Sequence, residues 1–302
     1  LFRWAFLTLA LGLSLGSAAH SINILLDKSY YEKPPSTLAF LPKPGRIFFT
    51  PPLLKEAVLL QGDNMEAAYE AAKEKLYPNW PLEFGREEVP LYNTLQLKNS
   101  FDWTFKAFQY SAPYSRKVLD YLGVRYVFGK NKFQDFKKVT DTGEVVEISE
   151  NSKLLPKWFS VSKALPAGPT VDDDFALASK IATDYSKECF VEDPSEAGPY
   201  HFRVVSVQRS CPTRLELTAD GRGKALIVSS ETAYPGWKLR VNGRERPVET
   251  INHSFRGMVL YDGETKASFS FEPVTFRLGF FLSLLVCGFW VFSSLKGLLR
   301  NP

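Results

Sequence analysis

The chain has 302 residues, 45% of them hydrophobic and 23% charged, a globular balance that excludes a largely disordered polypeptide. Its net charge of +4 is spread without any long Lys/Arg run, which argues against nucleic acid as a partner. Aromatic residues reach 14%, and because they serve cores, sugar-binding faces and membrane interfaces alike, the total selects none of these.

At the amino terminus Arg3 precedes an apolar run from Trp4 to Leu13, and Ser17-Ala18-Ala19 comes next. That pattern suits a secretory signal peptide. Apolar character resumes from Ile22 to Leu26, however, and stretches the segment to bilayer length. A spanning helix over 1–26 is the expectation, with a cleaved signal over 1–19 as the alternative. Both place the middle of the chain outside the cytoplasm. The opening Leu in place of Met suggests a chain that starts within a longer protein.

Asp27 to Pro44, rich in Pro, Lys and Tyr, reads as a linker. Gly45 to Phe49 is a short strand stopped by Pro51-Pro52. Gly62-Asp63-Asn64 turns into a helix carrying Met65, Ala68, Ala72 and Leu76 at helical spacing. Ser100 is the expected N-cap of the next helix, with Phe101, Phe105 and Phe108 on one face. A further helix opens at Pro113, buries Val118, Leu119 and Leu122, and ends at Gly123. Val124 to Phe128 is a strong strand, and Leu154 to Val161 is a second one interrupted at Pro156. Asp172-Asp173-Asp174 precedes another helical pattern. Adjacent carboxylates could bind a metal, but an acidic helix N-terminus explains them more simply. Helices alternating with strands over 27–192 predict an α/β layer domain.

From Tyr200 the pattern changes to short strands: Tyr200–Val207, Arg214–Thr218, Ala225–Ser229, Trp237–Val241, Phe255–Leu260 and Ala267–Phe271. Asn242-Gly243 and Asp262-Gly263 are favoured two-residue hairpin turns. Such spacing without helices predicts a small antiparallel β-sandwich over 193–273. Phe276 to Leu295 is then almost uninterruptedly apolar, with Arg277 its one charge. About 20 such residues match a bilayer core, so a transmembrane helix is expected over 274–295. Lys296 and Arg300 place the tail, 296–302, in the cytoplasm by the positive-inside rule. The predicted whole is thus a membrane-anchored α+β protein, its α/β layer domain and β-sandwich extracytoplasmic and flanked by transmembrane helices.

Tyr234-Pro235-Gly236-Trp237-Lys238, Val241-Asn242-Gly243, Asn252, Phe255-Arg256-Gly257 and Phe271-Glu272-Pro273 leading to Phe276-Arg277-Leu278-Gly279 occur in one order. Upstream stand Leu122-Gly123-Val124-Arg125-Tyr126-Val127 and Leu155-Pro156-Lys157-Trp158-Phe159. This succession, over about Arg46 to Leu295, resembles the end of the YfhO-like bacterial membrane proteins. The resemblance implies a polytopic protein similar to GT-C glycosyltransferases, which move a sugar from a polyprenyl-phosphate carrier to a cell-envelope glycan or lipid acceptor. It also implies the bacterial inner membrane, and a catalytic acid in an early outer loop that this chain does not contain. No catalytic residue is therefore carried over, and no cofactor is named. Two departures caution against assigning a substrate: Phe271-Glu272-Pro273 replaces a more tyrosine-like pattern, and Glu264-Thr265 stands where Gly-His is common.

Four residues are candidates for substrate binding. Trp237 after its Pro-Gly turn could stack on a sugar ring or cap the sandwich core. Arg256, with His253 just before it, could meet a lipid phosphate or pair with Glu249 or Glu231. Arg125 lies in an apolar strand, where a charge needs a partner. The three histidines, His20, His201 and His253, have no second ligand at metal spacing. Cys189 and Cys211 both fall in the exported region, where oxidation could bridge them, although a simple hairpin turning near Glu196 would set Cys211 opposite a position well before Cys189; Cys287 lies in the apolar segment. Asn252-His253-Ser254 fits a glycosylation sequon, a chance match in a bacterial protein. No Ser-His-Asp arrangement, phosphate-binding Gly loop or zinc motif is present. The rival expectation is a singly anchored module that binds envelope glycans without catalysis.

Overall fold

The computed structural model describes residues 31–53, 65–89, 97–106, 112–140 (apart from 132 and 134), 146–194 and 201–299. The amino-terminal segment expected to span a membrane, the Gly62-Asp63-Asn64 turn and Phe108 lie outside the described residues. The fold is α+β and divides into two compact units, Pro34–Phe271 and a second that joins residues 1–33 to 272–302.

The larger unit opens with a 3-10 helix (Ser36–Phe40) inside the segment expected to be a linker, then strand β1 (Arg46–Phe49), helices α1 (Met65–Glu74) and α2 (Trp80–Glu83) and strand β2 (Glu88–Val89). Helices α3 (Lys98–Lys106) and α4 (Ala112–Tyr121) come next, then β3 (Val124–Phe128), β4 (Lys137–Thr140) and β5 (Ile148–Glu150). These strands form one sheet in the order β2-β1-β3-β5-β4. β1 runs parallel to β2 and β3, while β5 is antiparallel to both β3 and β4. All four residues of β1 are buried, as the unbroken run Arg46-Ile47-Phe48-Phe49 requires. Ile47, Phe49, Tyr126 and Phe128 face one core with Leu41, Leu76 and Tyr77. Phe48, Val124 and Val127 face the opposite core, beneath α4.

Local signals explain several boundaries. Gly123 ends α4 with φ +68°, the left-handed position that glycine takes without strain. Pro156 leaves 154–157 outside the ladder, so the strand expected from Leu154 begins at Trp158. α3 starts two residues before Ser100, which is therefore not its N-cap; the Ser100 hydroxyl meets Ser254 instead.

The chain continues through β6 (Trp158–Val161), β7 (Lys163–Pro166), α5 (Val171–Ile181) and β8 (Glu188–Val191). Thr170 caps α5 in a reciprocal box with Asp173, and Asp172, Asp173 and Asp174 occupy its first turn. β9 (His201–Cys211), β10 (Arg214–Arg222), β11 (Ala225–Thr232) and β12 (Trp237–Val241) follow. The last strands are β13 (Arg244–Arg246), β14 (Glu249–Ile251), β15 (Phe255–Leu260) and β16 (Lys266–Phe271). They make two mainly antiparallel sheets, β13-β12-β16-β10-β9 and β14-β15-β11-β6, plus a parallel pair β7-β8. Between the two larger sheets lies one core containing Trp158, Leu215, Ile227, Leu239, Met258 and Phe269.

Asn242-Gly243 forms the expected tight turn, with φ +45° and +81°. Asp262-Gly263 does not close a two-residue hairpin. The strands on either side belong to different sheets, so the connection from 261 to 265 must cross the sandwich. β6, upstream of the boundary expected at 192/193, pairs with β11 downstream of it.

The smaller unit carries α6 (Val274–Leu299), a helix about 39 Å long at ~1.5 Å per residue. Its 274–293 stretch has mean hydropathy 1.9 and none of it is buried, so it is long and apolar enough to cross a membrane. Arg277 in its first turn pairs with Glu272 at 2.8 Å.

Candidate functional site

An open cleft of about 280 Å³ lies where three connections meet. It is lined by residues 97–100 at the start of α3, 232–235 from the last residue of β11 onward, and His253 and Ser254 between β14 and β15. The 252–254 turn is the keystone. Asn252 and His253 both adopt left-handed backbone, φ +50° and +58°, which asparagine and histidine tolerate better than most residues.

Fully buried Asn252 behaves as an extra strand partner for β8. Its backbone N–H donates to the Phe190 carbonyl at 2.8 Å, and its Oδ1 accepts from the Phe190 N–H at 2.8 Å. The Trp103 indole N–H donates to the Asn252 carbonyl at 2.6 Å. Trp103 is itself wholly buried, with Phe175, Tyr185, Phe255 and Tyr121 rings at 4.7, 5.3, 5.4 and 5.6 Å. The turn is thus bonded to β8 and to an aromatic box that holds α3, α4 and α5 together.

His253 lines the cleft and places Nε2 3.1 Å from Oδ2 of Asp174, a 1% exposed carboxylate in the first turn of α5. The other Asp174 oxygen accepts from the Gly168 N–H at 2.6 Å. Burial raises the Asp174 pKa; the Gly168 N–H and His253 pull it back, while Asp173 adds to the rise. A carboxylate behind an imidazole favours one orientation of the ring. Around it, Asn99 Nδ2 donates to the His253 carbonyl at 3.0 Å, and the Ser100 and Ser254 hydroxyls lie 2.7 Å apart.

Arg256, two residues further along on β15, is only 2% exposed. Its Nη2 donates to Glu231, which also accepts from Arg209. The guanidinium centre sits 3.6 Å from the Trp237 ring centroid, with the Phe269 and Trp158 rings at 5.4 and 5.9 Å. Burial pulls the Arg256 pKa down to about 10; Glu231 opposes the shift and Arg209 adds to it. Trp237 also packs on Phe271 at 5.2 Å and borders the sandwich core.

Arg125 lies on β3 in the other half of the unit. Its Nε donates to the Pro44 carbonyl at 2.6 Å and its Nη1 approaches Glu150 at 3.6 Å. The four sequence candidates therefore do not form one site. His253 borders the cleft, Trp237 and Arg256 form a single stack, and Arg125 pairs with a neighbouring strand.

Sequence reasoning missed Asp174 as a partner of His253, Asn252 as a strand mimic, and Arg46. Arg46 is 8% exposed; its Nη1 donates to the Leu122 and Ser230 carbonyls, both at 2.9 Å, and to the Ser230 hydroxyl at 2.8 Å. Its Nε donates to Glu87 at 3.1 Å. A buried arginine beginning an apolar strand was the available signal, since such a charge demands acceptors.

Among the described residues no group of three or more His, Cys, Asp or Glu side chains could hold a metal ion. Cys189 and Cys211 are free thiols, the first buried and the second partly exposed. β8 pairs with β7, and β9 pairs with β10, so the two strands that carry these cysteines are not partners of each other. Burial pushes the Cys189 thiol far up, and hydrogen bonding to Thr213 lowers that of Cys211. Comparison of the chain with protein-family models, with curated proteins and with solved structures found no match.

Proposed function

We propose that the chain is the carboxy-terminal, extracytoplasmic portion of a polytopic bacterial inner-membrane protein of the glycosyltransferase-like kind. The parent protein would move a sugar from a polyprenyl-phosphate carrier to a cell-envelope acceptor. The observation that carries this reading is the passage from β16 through Glu272-Pro273 into α6, whose apolar span is followed by Lys296 and Arg300. By the positive-inside rule, that order favours a sandwich outside and a tail inside. The ordered motifs of the resemblance support the family part of the reading. Catalytic groups belong to the preceding helices, and this module shapes the space above them.

Two measurements test it. The DNA upstream of the Leu1 codon is expected to encode further membrane helices with an acidic residue in the first outer loop. A start codon just before Leu1 would leave the singly anchored binding module instead. Orientation is read at Cys211, the partly exposed thiol of the larger unit. On reduced intact cells, a membrane-impermeant maleimide should label it, and Cys211→Ser should abolish that label. Labelling only after lysis would refute an outward-facing sandwich.

A further inference from the structure

We propose that the cleft beside the 252–254 turn binds one neutral, hydroxyl-bearing ring of monosaccharide size. The proposal deepens the transferase reading by giving a sugar a place on this module, and it rests on that reading only for the ring's origin in an envelope glycan.

Size comes first. At about 280 Å³ the cleft falls just below the ~300–1,000 Å³ typical of pockets for larger ligands, which leaves room for a single ring.

Charge comes next. The ionisable groups at the cleft are compensated: Lys98 pairs with Asp102 at 2.6 Å, and His253 faces Asp174 at 3.1 Å. Among the described residues no cluster of cations at the cleft offers the converging charge-assisted bonds that a phosphate or carboxylate selects.

Polarity then picks the class. Thr232 carries a hydroxyl that both donates and accepts, the Ser100 hydroxyl keeps bonding capacity beyond its 2.7 Å contact with Ser254, and Asn99 carries an amide oxygen while its N–H serves the His253 carbonyl. A ligand with hydroxyl groups matches such two-way partners, whereas an anion offers acceptors alone.

The remaining wall is aromatic. Tyr234 is 50% exposed, and its ring lies 6.2 Å from that of Phe271 at a tilt of 47°, so one face of the tyrosine is open to a ligand. The C–H face of a sugar stacks on such a ring. Asp174 lies 3.1 Å behind Nε2 of His253.

The test uses the full chain in detergent and saturation-transfer NMR with three probes, glucose, galactose and N-acetylglucosamine. Phosphorus line broadening with inorganic phosphate provides the contrast. At least one sugar is expected to bind in the millimolar range and phosphate is not. Tyr234→Phe should keep that affinity within about twofold, while Tyr234→Ala should weaken it about tenfold, a 1.4 kcal/mol effect. Circular dichroism of each variant checks folding, which substitution at a half-exposed side chain should leave intact. Failure of all three sugars to bind, equal binding by Tyr234→Ala, or phosphate binding in their place would overturn the proposal. The upstream reading frame can remove the transferase reading without touching this result, and a failed binding experiment leaves the frame untouched.

Discussion

Two neighbouring strands, β10 and β11, are built on opposite plans. β10 buries Leu215, Leu217 and Ala219 and turns Arg214, Glu216 and Asp220 to solvent, the alternation of a sheet with one wet face. β11 is buried at every position from Ala225 to Glu231. Ile227 and Ala225 point into the sandwich core, whereas Leu226 and Val228 point into the core under α4 and α5. The sheet β14-β15-β11-β6 is therefore a wall shared by two cores. What looks in the sequence like a sandwich appended to an α/β layer is packed as one body, with β6 supplied from upstream and the 252–254 turn reaching back to β8 and α3.

The largest expected effect strikes the buried charges at the end of that wall. Glu231→Ala leaves Arg256 buried without its carboxylate and should cost about 3–5 kcal/mol in a urea unfolding experiment. Adding Arg256→Met should recover much of the loss; no recovery would mean that the ion pair is not the source. Next come adjacent positions on the two strands. Leu226→Ala and Ile227→Ala should each cost about 2–5 kcal/mol, because both faces of β11 are interior. On β10, Leu215→Ala should cost as much while Glu216→Ala stays within about 0.5 kcal/mol. A cheap Leu226→Ala would dissolve the shared wall.

Smaller again is Gly257→Ala. A Cβ there would come within 2.5 Å of Ile251 Cγ1 and 3.0 Å of the Ile227 carbonyl, so overpacking of about 1–3 kcal/mol is expected. The smallest effect concerns acid. Burial pushes the Glu87 pKa up, yet Lys157 and Arg46 outweigh it and hold the value below the usual 4.5. A depressed carboxylate stabilises the fold above its unfolded pKa, and that stabilisation is lost as pH falls through the folded value. Glu87→Gln should flatten the acid side of the stability profile modestly, since half of the side chain is exposed.

Much of the architecture was legible. The apolar run of 276–295, the Val124–Phe128 strand, the Asn242-Gly243 turn and the capped acidic start of α5 are all local signals, and each is present. Ala225-Leu226-Ile227-Val228 even announced burial on both faces, because a continuous apolar run leaves no wet side. Local pattern could not supply pairing at long range. Nothing about Asp174 or His253 alone says that they meet, and Ser100 was a reasonable cap that the fold uses otherwise. Arg256 and Trp237 were singled out one by one as ligand contacts, but the stack they form, with Arg256 buried and Trp237 partly so, depends on Glu231 and Phe269 arriving from other strands.

The shared wall is tested most directly by hydrogen exchange of the full chain in detergent, followed by mass spectrometry across a urea series. The account predicts that amides of β3, β10 and β11 exchange through one global opening, with the same free energy and the same urea dependence. Release of β10, β12 and β16 in a separate, lower step while β3 and β11 stay protected would contradict it.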